Sequence, residues 1–207
     1  MCGFSQKARF GINAGGTFSY METTYQGRNE IINGIKPGMT VGVVTELPIA
    51  GSFYMSPALS FTQKGGNRRY IYGAYTFEGN RTLNYAELLV NLLFRSQVGN
   101  GKFFGGIGPS VSYGLGGKNK DQVNYGGQVM NPTDKIIFGN SEDDDYKPID
   151  LGGNVVAGYE FASNVFFALN YNLGLNNLVD NGDDNSVAKT RYIGFRIGYF
   201  LSHSSKK

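Results

Sequence analysis

The stretch that decides the fold of this chain is Arg9-Phe10-Gly11-Ile12-Asn13-Ala14-Gly15-Gly16-Thr17-Phe18-Ser19-Tyr20. Apolar or aromatic side chains alternate along it with polar residues and glycines, at Phe10, Ile12, Ala14, Phe18 and Tyr20. Successive side chains of a β-strand point to opposite faces. The stretch therefore predicts a strand with one apolar face and one polar face.

Seven further segments alternate in the same way, at residues 39–47, 53–64, 85–95, 103–115, 149–161, 165–175 and 191–201. The connections between segments alternate in length: they are short at 48–52, 96–102 and 162–164, and long and polar at 21–38, 65–84, 116–148 and 176–190. Alternating short and long connections are typical of outer-membrane barrels, whose apolar face lies in lipid. The sequence predicts an all-β fold: an eight-stranded antiparallel up-and-down transmembrane β-barrel with short periplasmic turns and four long extracellular loops. Residues 71–77 are expected to extend one hairpin above the membrane.

The composition agrees with this prediction and excludes several other classes. The 207 residues include 31 Gly, 15 Phe and 14 Tyr, which favours β-structure with tight turns. Mean hydropathy is −0.26, and no run of apolar residues is long enough for a transmembrane helix. The net charge of +3, with unclustered basic residues, gives no indication of a nucleic-acid partner.

We expect one barrel domain at residues 6–201, because the chain shows no repeat and no linker. Residues 1–5 resemble the end of an export signal, or are an artefact of expression, and a lipid-modified Cys2 is a further alternative. Residues 202–207 would form a polar periplasmic tail. With Cys2 as the single cysteine, an internal disulfide framework is excluded.

The rival fold is a soluble, lipocalin-like barrel with its apolar face inside. Two features favour the membrane barrel. Glycines, which suit a narrow and crowded lumen, concentrate on the polar face, at Gly11, Gly15, Gly42, Gly106, Gly108, Gly152, Gly158, Gly194 and Gly198. The ionisable strand residues fall on that same face and are predicted to form an ion-pair network in the lumen: Arg9, Glu46, Lys64, Glu87, Arg95, Asp150, Glu160 and Arg196.

Several stretches resemble the PorT-like outer-membrane β-barrel family of Bacteroidota. They are the run from Phe53 to Gly66 with its Gln63-Lys64-Gly65, the run Leu83-Asn84-Tyr85-Ala86-Glu87-Leu88, Gly106-Ile107-Gly108-Pro109, Gly158-Tyr159-Glu160-Phe161, and Tyr171-Asn172-Leu173-Gly174-Leu175. The resemblance covers the chain from Gln6 to Leu201. It departs from the family where Leu89 or Val90 replaces a proline and where polar residues follow Phe200-Leu201. It implies the fold and the outer membrane of a Gram-negative bacterium, but no single function.

No cofactor or catalytic site is predicted. The single histidine, His203, lies in the tail, so a histidine base among the loops is unavailable. Carboxylate chemistry by Glu87 with Glu46 or Asp150 is the less favoured alternative to structural ion pairs. Weak calcium candidates are Glu142, Asp143, Asp144 and Asp145, with a second acidic stretch at 180–185, and solvated loops are preferred for both.

Aromatic residues near the predicted strand ends suggest two interface girdles, at Phe53, Phe103, Tyr159 and Tyr199 on the turn side and at Tyr20, Phe61, Tyr113 and Tyr171 on the loop side. Taken together, the residues indicate a monomeric, non-enzymatic barrel in contact with outer-membrane lipid and lipopolysaccharide. Its function would lie in envelope structure or in surface interaction, with a protein partner bound through the long loops. The alternatives are an accessory role in protein secretion, as PorT resemblance implies, and a soluble ligand carrier.

Overall fold

The computed structural model describes residues 8–25, 28–31, 34–72, 75–126, 128–141, 144–179 and 187–201. The predicted export-signal remnant at 1–5 and the predicted tail at 202–207, with His203, lie outside the described residues. Within the described part of the chain, no helix is long and apolar enough to cross a membrane.

The described chain forms eleven strands. They are β1 (Arg9–Tyr25), β2 (Arg28–Ile31), β3 (Lys36–Ala50), β4 (Phe53–Tyr72), β5 (Tyr75–Val98), β6 (Gly101–Tyr125), β7 (Gln128–Met130), β8 (Thr133–Ile136), β9 (Ile149–Glu160), β10 (Val165–Gly174) and β11 (Val187–Leu201). Eight of them pair in the order β1-β3-β4-β5-β6-β9-β10-β11, each antiparallel to the next. β11 pairs with β1 from Phe10↔Leu201 to Thr24↔Val187, which closes the ring. The predicted eight-stranded antiparallel barrel is confirmed, and its closure removes free strand edges.

The connections at one end of the barrel are tight turns. Gly51 and Gly99, in the β3–β4 and β5–β6 turns, have φ values of 55° and 59°, a left-handed conformation that glycine adopts without strain. Asn164, in the β9–β10 turn, has φ of 64° and is the residue type that best tolerates this region after glycine. These three turns match the predicted short connections, and we call this end the turn end.

At the opposite end, the loop end, the strands continue further than predicted. β4 and β5 remain paired without interruption from Phe53↔Phe94 to Tyr72↔Tyr75. The connection predicted at 65–84 is long and polar as expected, but it is a paired hairpin and not an irregular loop, and it includes the expected extension at 71–77. Polar strands can pair above a membrane because water, unlike lipid, solvates their outward polar groups.

Two other predicted loops also contain strand. β1 runs to Tyr25 and pairs with the short β2, where a loop at 21–38 was expected. β6 runs to Tyr125, and β7 and β8 fold back onto it within the expected loop at 116–148. The loop end is consequently a partly ordered β-structure that rises beyond the barrel.

Apolar side chains cover the outside of the barrel, and polar side chains fill the inside. Ile107, Leu169 and Phe10 are 64%, 62% and 60% exposed, whereas Lys64 and Glu87 are 1% and 0% exposed. This arrangement is the reverse of a soluble barrel with an apolar core. The lipocalin-like alternative is wrong for that reason.

Pro57 occupies a position where the sheet tolerates a missing amide proton. It pairs with Val90 of β5. On its other side the β3–β4 register passes from Val44↔Ala58 to Leu47↔Met55, so Pro57 has no ladder partner on β3. Such a position suits proline, which cannot donate to a ladder.

Candidate functional site

All eight ionisable residues predicted for the lumen face the interior, but they form two separate groups. The turn-end cluster consists of Arg9, Glu46, Arg95 and Glu160. Arg9 Nη2 lies 2.5 Å from Glu46 Oε2, and Arg9 Nη1 lies 2.7 Å from Glu160 Oε1. Arg95 Nη2 lies 3.1 Å from Glu46 Oε1 and also donates to Glu160 Oε2. Each arginine contacts both glutamates, so the four charges balance in a closed ring.

The loop-end cluster consists of Lys64, Glu87, Asp150 and Arg196. Lys64 Nζ lies 3.1 Å from Glu87 Oε1 and 3.1 Å from Asp150 Oδ2, and Arg196 Nη2 lies 3.6 Å from Glu87 Oε2. This group is also balanced, with two positive and two negative side chains. All four are nearly inaccessible to solvent, so each charge depends on its neighbours for stabilisation.

Hydroxyl groups complete the coordination of the two carboxylates in the loop-end cluster. Tyr192 donates to Glu87 Oε2 at 2.6 Å, and Thr190 donates to Asp150 Oδ2 at 2.6 Å. Ser112 donates to Glu87 Oε1 at 3.2 Å and accepts from Lys64 Nζ at 2.9 Å. The sequence analysis did not single out these hydroxyl residues, although they share the inward parity of their strands.

Alternate residues of β5 mark the layers of the lumen. Arg95 belongs to the turn-end cluster, Leu93 to an apolar layer, Asn91 to an amide layer, and Glu87 to the loop-end cluster. The apolar layer is built by Leu93, Phe104, Phe166, Ala168 and Phe200. A Cβ at Gly158 would collide with the Phe104 ring, and one at Gly198 with the Phe166 ring, so these inward glycines make room for the layer.

The amide layer is a chain of three asparagines. Asn170 donates to Asn154 at 3.0 Å, and Asn154 donates to Asn91 at 2.9 Å. The cavity next to these layers measures about 50 Å³, which is room for one or two waters. The lumen is therefore filled by side chains, as expected for a narrow barrel of this strand number.

A second apolar cluster closes the loop end of the lumen. We call Ile136, Phe138, Tyr146 and Leu178 the mouth plug, since they come from the connections and pack on Tyr85 and other barrel residues. The Phe138 ring lies 5.3 Å from the Tyr85 ring and 6.2 Å from the Tyr146 ring, measured between centroids. The backbone holds the plug as well: Lys147 N donates to Leu178 O at 2.7 Å, and Leu178 N donates to Ala188 O at 2.9 Å.

Tyr146 combines a buried ring with a polar anchor. Its side chain is 5% exposed, and its hydroxyl accepts a hydrogen bond from Arg81 Nη1. Burial raises the pKa of Tyr146 above its usual value, so the phenol stays neutral at physiological pH. The sequence analysis missed the plug, because residues 116–148 appeared as a polar loop; the apolar run Ile136-Ile137-Phe138 was the available signal.

The sequence profile of the family described as "Outer membrane protein beta-barrel domain" matches residues 4–180 of the chain. The chain belongs to this family. The protein is accordingly a β-barrel of the outer membrane, and the outward apolar face contacts lipid. In this family of barrels the short turns lie in the periplasm and the longer connections outside the cell. The turn end is thus periplasmic, and the loop end is extracellular.

Two solved structures are also similar to this chain. Ail, the attachment invasion locus protein of Yersinia pestis, solved in complex with the heparin analogue sucrose octasulfate, aligns over 94% of this chain and 100% of that chain at 13% identity, with a TM-score of 0.42. Neisserial surface protein A aligns over 94% of this chain and 99% of that chain at 12% identity, with a TM-score of 0.44. No curated protein matches the sequence.

The predicted interface aromatics lie on the outside of this outer-membrane barrel. Phe53, Phe103, Tyr159 and Tyr199 stand near the periplasmic strand ends, and Tyr20, Phe61, Tyr113 and Tyr171 stand toward the extracellular ends. Ring contacts reinforce the periplasmic group: Phe53 and Phe94 have centroids 5.6 Å apart, and Tyr159 and Phe161 have centroids 5.0 Å apart. This placement is the one expected of anchors at the two lipid–water interfaces, and the anchoring role stays a prediction.

The weak calcium candidates fall partly outside the described residues, since Glu142, Asp143 and the stretch 180–185 are not described. Asp144 and Asp145 are described, and both shape the loop: Asp144 Oδ2 accepts from Ser141 N at 2.8 Å, and Asp145 Oδ2 accepts from Ile137 N at 2.9 Å. In the described part of the chain, no group of three or more potential metal ligands comes together.

Replacing Leu169 with arginine is expected to lower the free energy of unfolding in lipid vesicles by about 2–4 kcal/mol, the cost of an arginine at the bilayer midplane. Leu169 lies in the middle of β10 and is 62% exposed. Urea titration in vesicles, followed by circular dichroism, measures the change. Ser163→Arg, in the exposed periplasmic turn, is the control and should change stability by less than about 0.5 kcal/mol. Equal effects at both positions would contradict a lipid-facing Leu169.

Proposed function

We propose that this protein is a small, monomeric, non-enzymatic outer-membrane barrel that acts in envelope structure or surface interaction through its extracellular part. The observation that supports this proposal is the closed lumen. Two charge-balanced clusters, an apolar layer and the mouth plug fill the barrel from the periplasmic to the extracellular end. A barrel closed in this way leaves its outer and extracellular surfaces as the parts that can meet partners.

The main extracellular surface is the continuation of three barrel strands. We call residues 65–72 of β4, 75–82 of β5 and 118–125 of β6, together with the short β8, the extracellular sheet. Its partners in this proposal are outer-membrane lipid, lipopolysaccharide and a protein bound from outside the cell. The sheet is polar, so it needs no lipid around it, and the barrel below fixes its position relative to the membrane.

The environment of the lumen carboxylates supports a structural role over a catalytic one. Glu87 and Asp150 are 0% and 2% exposed, and each is held by ion pairs and by hydroxyl donors. A general acid or base has to reach a substrate proton, and the mouth plug covers these carboxylates from the extracellular side. Ion pairs and hydroxyl donors of this kind are expected of side chains that stabilise the lumen.

The proposal is tested by conductance measurements in planar lipid bilayers. The refolded protein should show a gel-mobility shift on boiling and should need detergent for extraction, yet it should give no stable conductance steps. Steps like those of a water-filled channel would overturn the closed-barrel proposal. Joining Asn67 to Asn80 by an Asn-Gly turn removes residues 68–79 of the hairpin and should leave the mobility shift intact, because this part lies beyond the lipid-facing strands. Loss of cell-surface binding in that variant would support the surface role.

Resemblance to the PorT-like family supports a second candidate, an accessory role in protein secretion. It is carried by the runs Phe53 to Gly66 and Leu83 to Leu88. Affinity purification from detergent-solubilised membranes separates the two candidates: stoichiometric recovery of secretion-machine subunits would favour the second. Recovery of the barrel with lipid and lipopolysaccharide alone would favour the first.

A further inference from the structure

The outer face of the extracellular sheet carries a pair of lysines directly opposite each other. Lys118 of β6 pairs with Lys135 of β8, and the neighbouring Lys120 pairs with Thr133. The next residue of β8, Ile136, is 5% exposed and faces the mouth plug, so Lys135 points to the opposite, outer side. Like charges directly opposite each other destabilise a sheet. An anion bound near both lysines would reduce their repulsion.

The described part of the chain does not provide such a counter-charge. Among the described residues, no carboxylate lies within ion-pair distance of Lys118, Lys120 or Lys135, and all three side chains are exposed. Burial lowers the pKa of Lys36, at the extracellular end of β3, and the like charge of Lys120 lowers it further. Positive charge therefore accumulates on this side of the extracellular rim, and the nearby described carboxylates Glu78 and Asp121 are paired with Arg69 and Arg68 instead.

The three lysines lie immediately above the apolar band. Tyr113 and Leu115, on the outer face of β6 below Lys118, are 56% and 57% exposed, and Ile137, two residues after Lys135, is 57% exposed. Two residues of strand rise by about 7 Å, which is the step from acyl chains to the phosphates of a membrane lipid. The lysines are the first charges above the lipid-facing surface of these strands.

A polar groove of about 530 Å³ lies next to Lys120 on the extracellular sheet. Its lining combines the amides of Asn67, Asn80 and Gln122 and the hydroxyl of Thr133 with charged side chains. These are Lys120 and the ion-paired Arg68, Arg69, Glu78 and Asp121. Asn67 Oδ1 is buried and accepts no hydrogen bond from the described residues. Amides and hydroxyls are the groups that pair with the hydroxyls of a sugar.

We propose that Lys118, Lys120 and Lys135 bind the phosphate groups of lipopolysaccharide in the outer leaflet, and that the groove above them receives part of its sugar. The inference rests on the proposed function, in which lipopolysaccharide is one of the partners of the extracellular sheet. Phosphates at headgroup depth relieve the repulsion between Lys118 and Lys135. A phosphorylated glycolipid is the membrane component that offers phosphate and sugar on the same molecule, in the vertical order in which the surface presents its lysines and its amides.

The test measures binding of fluorescently labelled lipopolysaccharide to the full-length, refolded protein in zwitterionic detergent. The double variant Lys118→Gln/Lys135→Gln is expected to bind about thirtyfold more weakly, since each lysine near an anionic surface contributes about a factor of five. Lys118→Arg/Lys135→Arg keeps both charges and should bind within about threefold of the original protein. Lys102→Gln, at the periplasmic end of the same β6, removes one exposed lysine far from the site and should have no effect.

Three results would overturn the assignment. One is unchanged affinity in the Gln double variant, with the boiling-dependent mobility shift intact to show that it folds. Another is equal affinity of the original protein for lipopolysaccharide and for its enzymatically dephosphorylated form. The third is competition by inorganic phosphate at equal phosphate concentration, because a glycolipid site uses the sugar as well. Failure of the proposed closed-barrel function appears separately, as bilayer conductance, and does not alter this binding assay.

Discussion

Replacing Glu87 with glutamine is expected to lower the free energy of unfolding of the barrel by about 3–5 kcal/mol, the usual cost of removing one partner from a buried ion pair. Glu87 is 0% exposed and accepts hydrogen bonds from Tyr192, Ser112 and Thr62 in addition to its ion pairs with Lys64 and Arg196. Without the carboxylate, two buried cations share Asp150 as the one remaining anion of the loop-end cluster. An uncompensated charge inside a membrane barrel has no access to bulk water.

The same strand supplies a matched control. Glu78, also on β5, forms a 3.0 Å ion pair with Arg69, but the two side chains are 47% and 65% exposed. Glu78→Gln should change stability by less than about 1 kcal/mol, because water screens an exposed pair. The chain has no tryptophan, so urea unfolding in vesicles is best followed by circular dichroism and by gel mobility. Equal losses in the two variants would contradict the structural role of the loop-end cluster.

A double substitution separates the effect of charge from the effect of shape. Adding Lys64→Met to Glu87→Gln leaves Arg196 and Asp150, one charge of each sign, in the loop-end cluster. The double variant should therefore lose less stability than Glu87→Gln alone, since a balanced or apolar interior tolerates the loss of a whole pair. A further loss on adding Lys64→Met would show that the lysine stem, more than its charge, supports the lumen.

Most of the barrel could be predicted because the side-chain period of a strand is fixed by its backbone. The parity of Arg9, Glu46, Arg95 and Glu160 is enough to place all four on one face, and the structure joins them. The alternation along a strand does not show how far along the barrel axis a side chain lies. The separation of this group from Lys64 and its neighbours depends on strand tilt and register, which appear only when residues on different strands are paired.

The loop end was harder to predict for a different reason. Polar residues such as Arg68, Asn80 and Lys120 occur both in loops and in strands outside the membrane. The alternation of apolar residues that marks a lipid-facing strand is therefore missing there. The mouth plug is formed by few apolar residues that are distant in sequence, Ile136 and Leu178 among them. Only tertiary contacts reveal that they meet above the lumen.

Replacing Tyr146 with alanine is expected to open the mouth plug while the barrel stays folded. Truncating a buried aromatic side chain costs about 3–5 kcal/mol, and here the cost falls on a local structure held by a few hydrogen bonds and ring contacts. Lys135 immediately precedes the plug segment and is a site for trypsin, whereas Pro148 makes the bond after Lys147 resistant to this protease. An opening free energy reduced by about 3 kcal/mol raises the open population, and thus the cleavage rate, by roughly 100-fold.

Limited trypsin digestion of intact protein in vesicles measures this rate, and the boiling-dependent mobility shift reports the barrel in the same samples. Tyr146→Phe is the matched control: it keeps the ring and removes only the hydroxyl that accepts from Arg81, so cleavage should accelerate by about tenfold or less. Loss of the mobility shift together with faster cleavage would mean that the plug is part of the cooperative barrel core. Faster cleavage with the shift retained, in contrast, would show that the mouth plug opens independently of the barrel. The barrel would then be stabilised by the ion pairs of the lumen, and the plug by the ring of Tyr146.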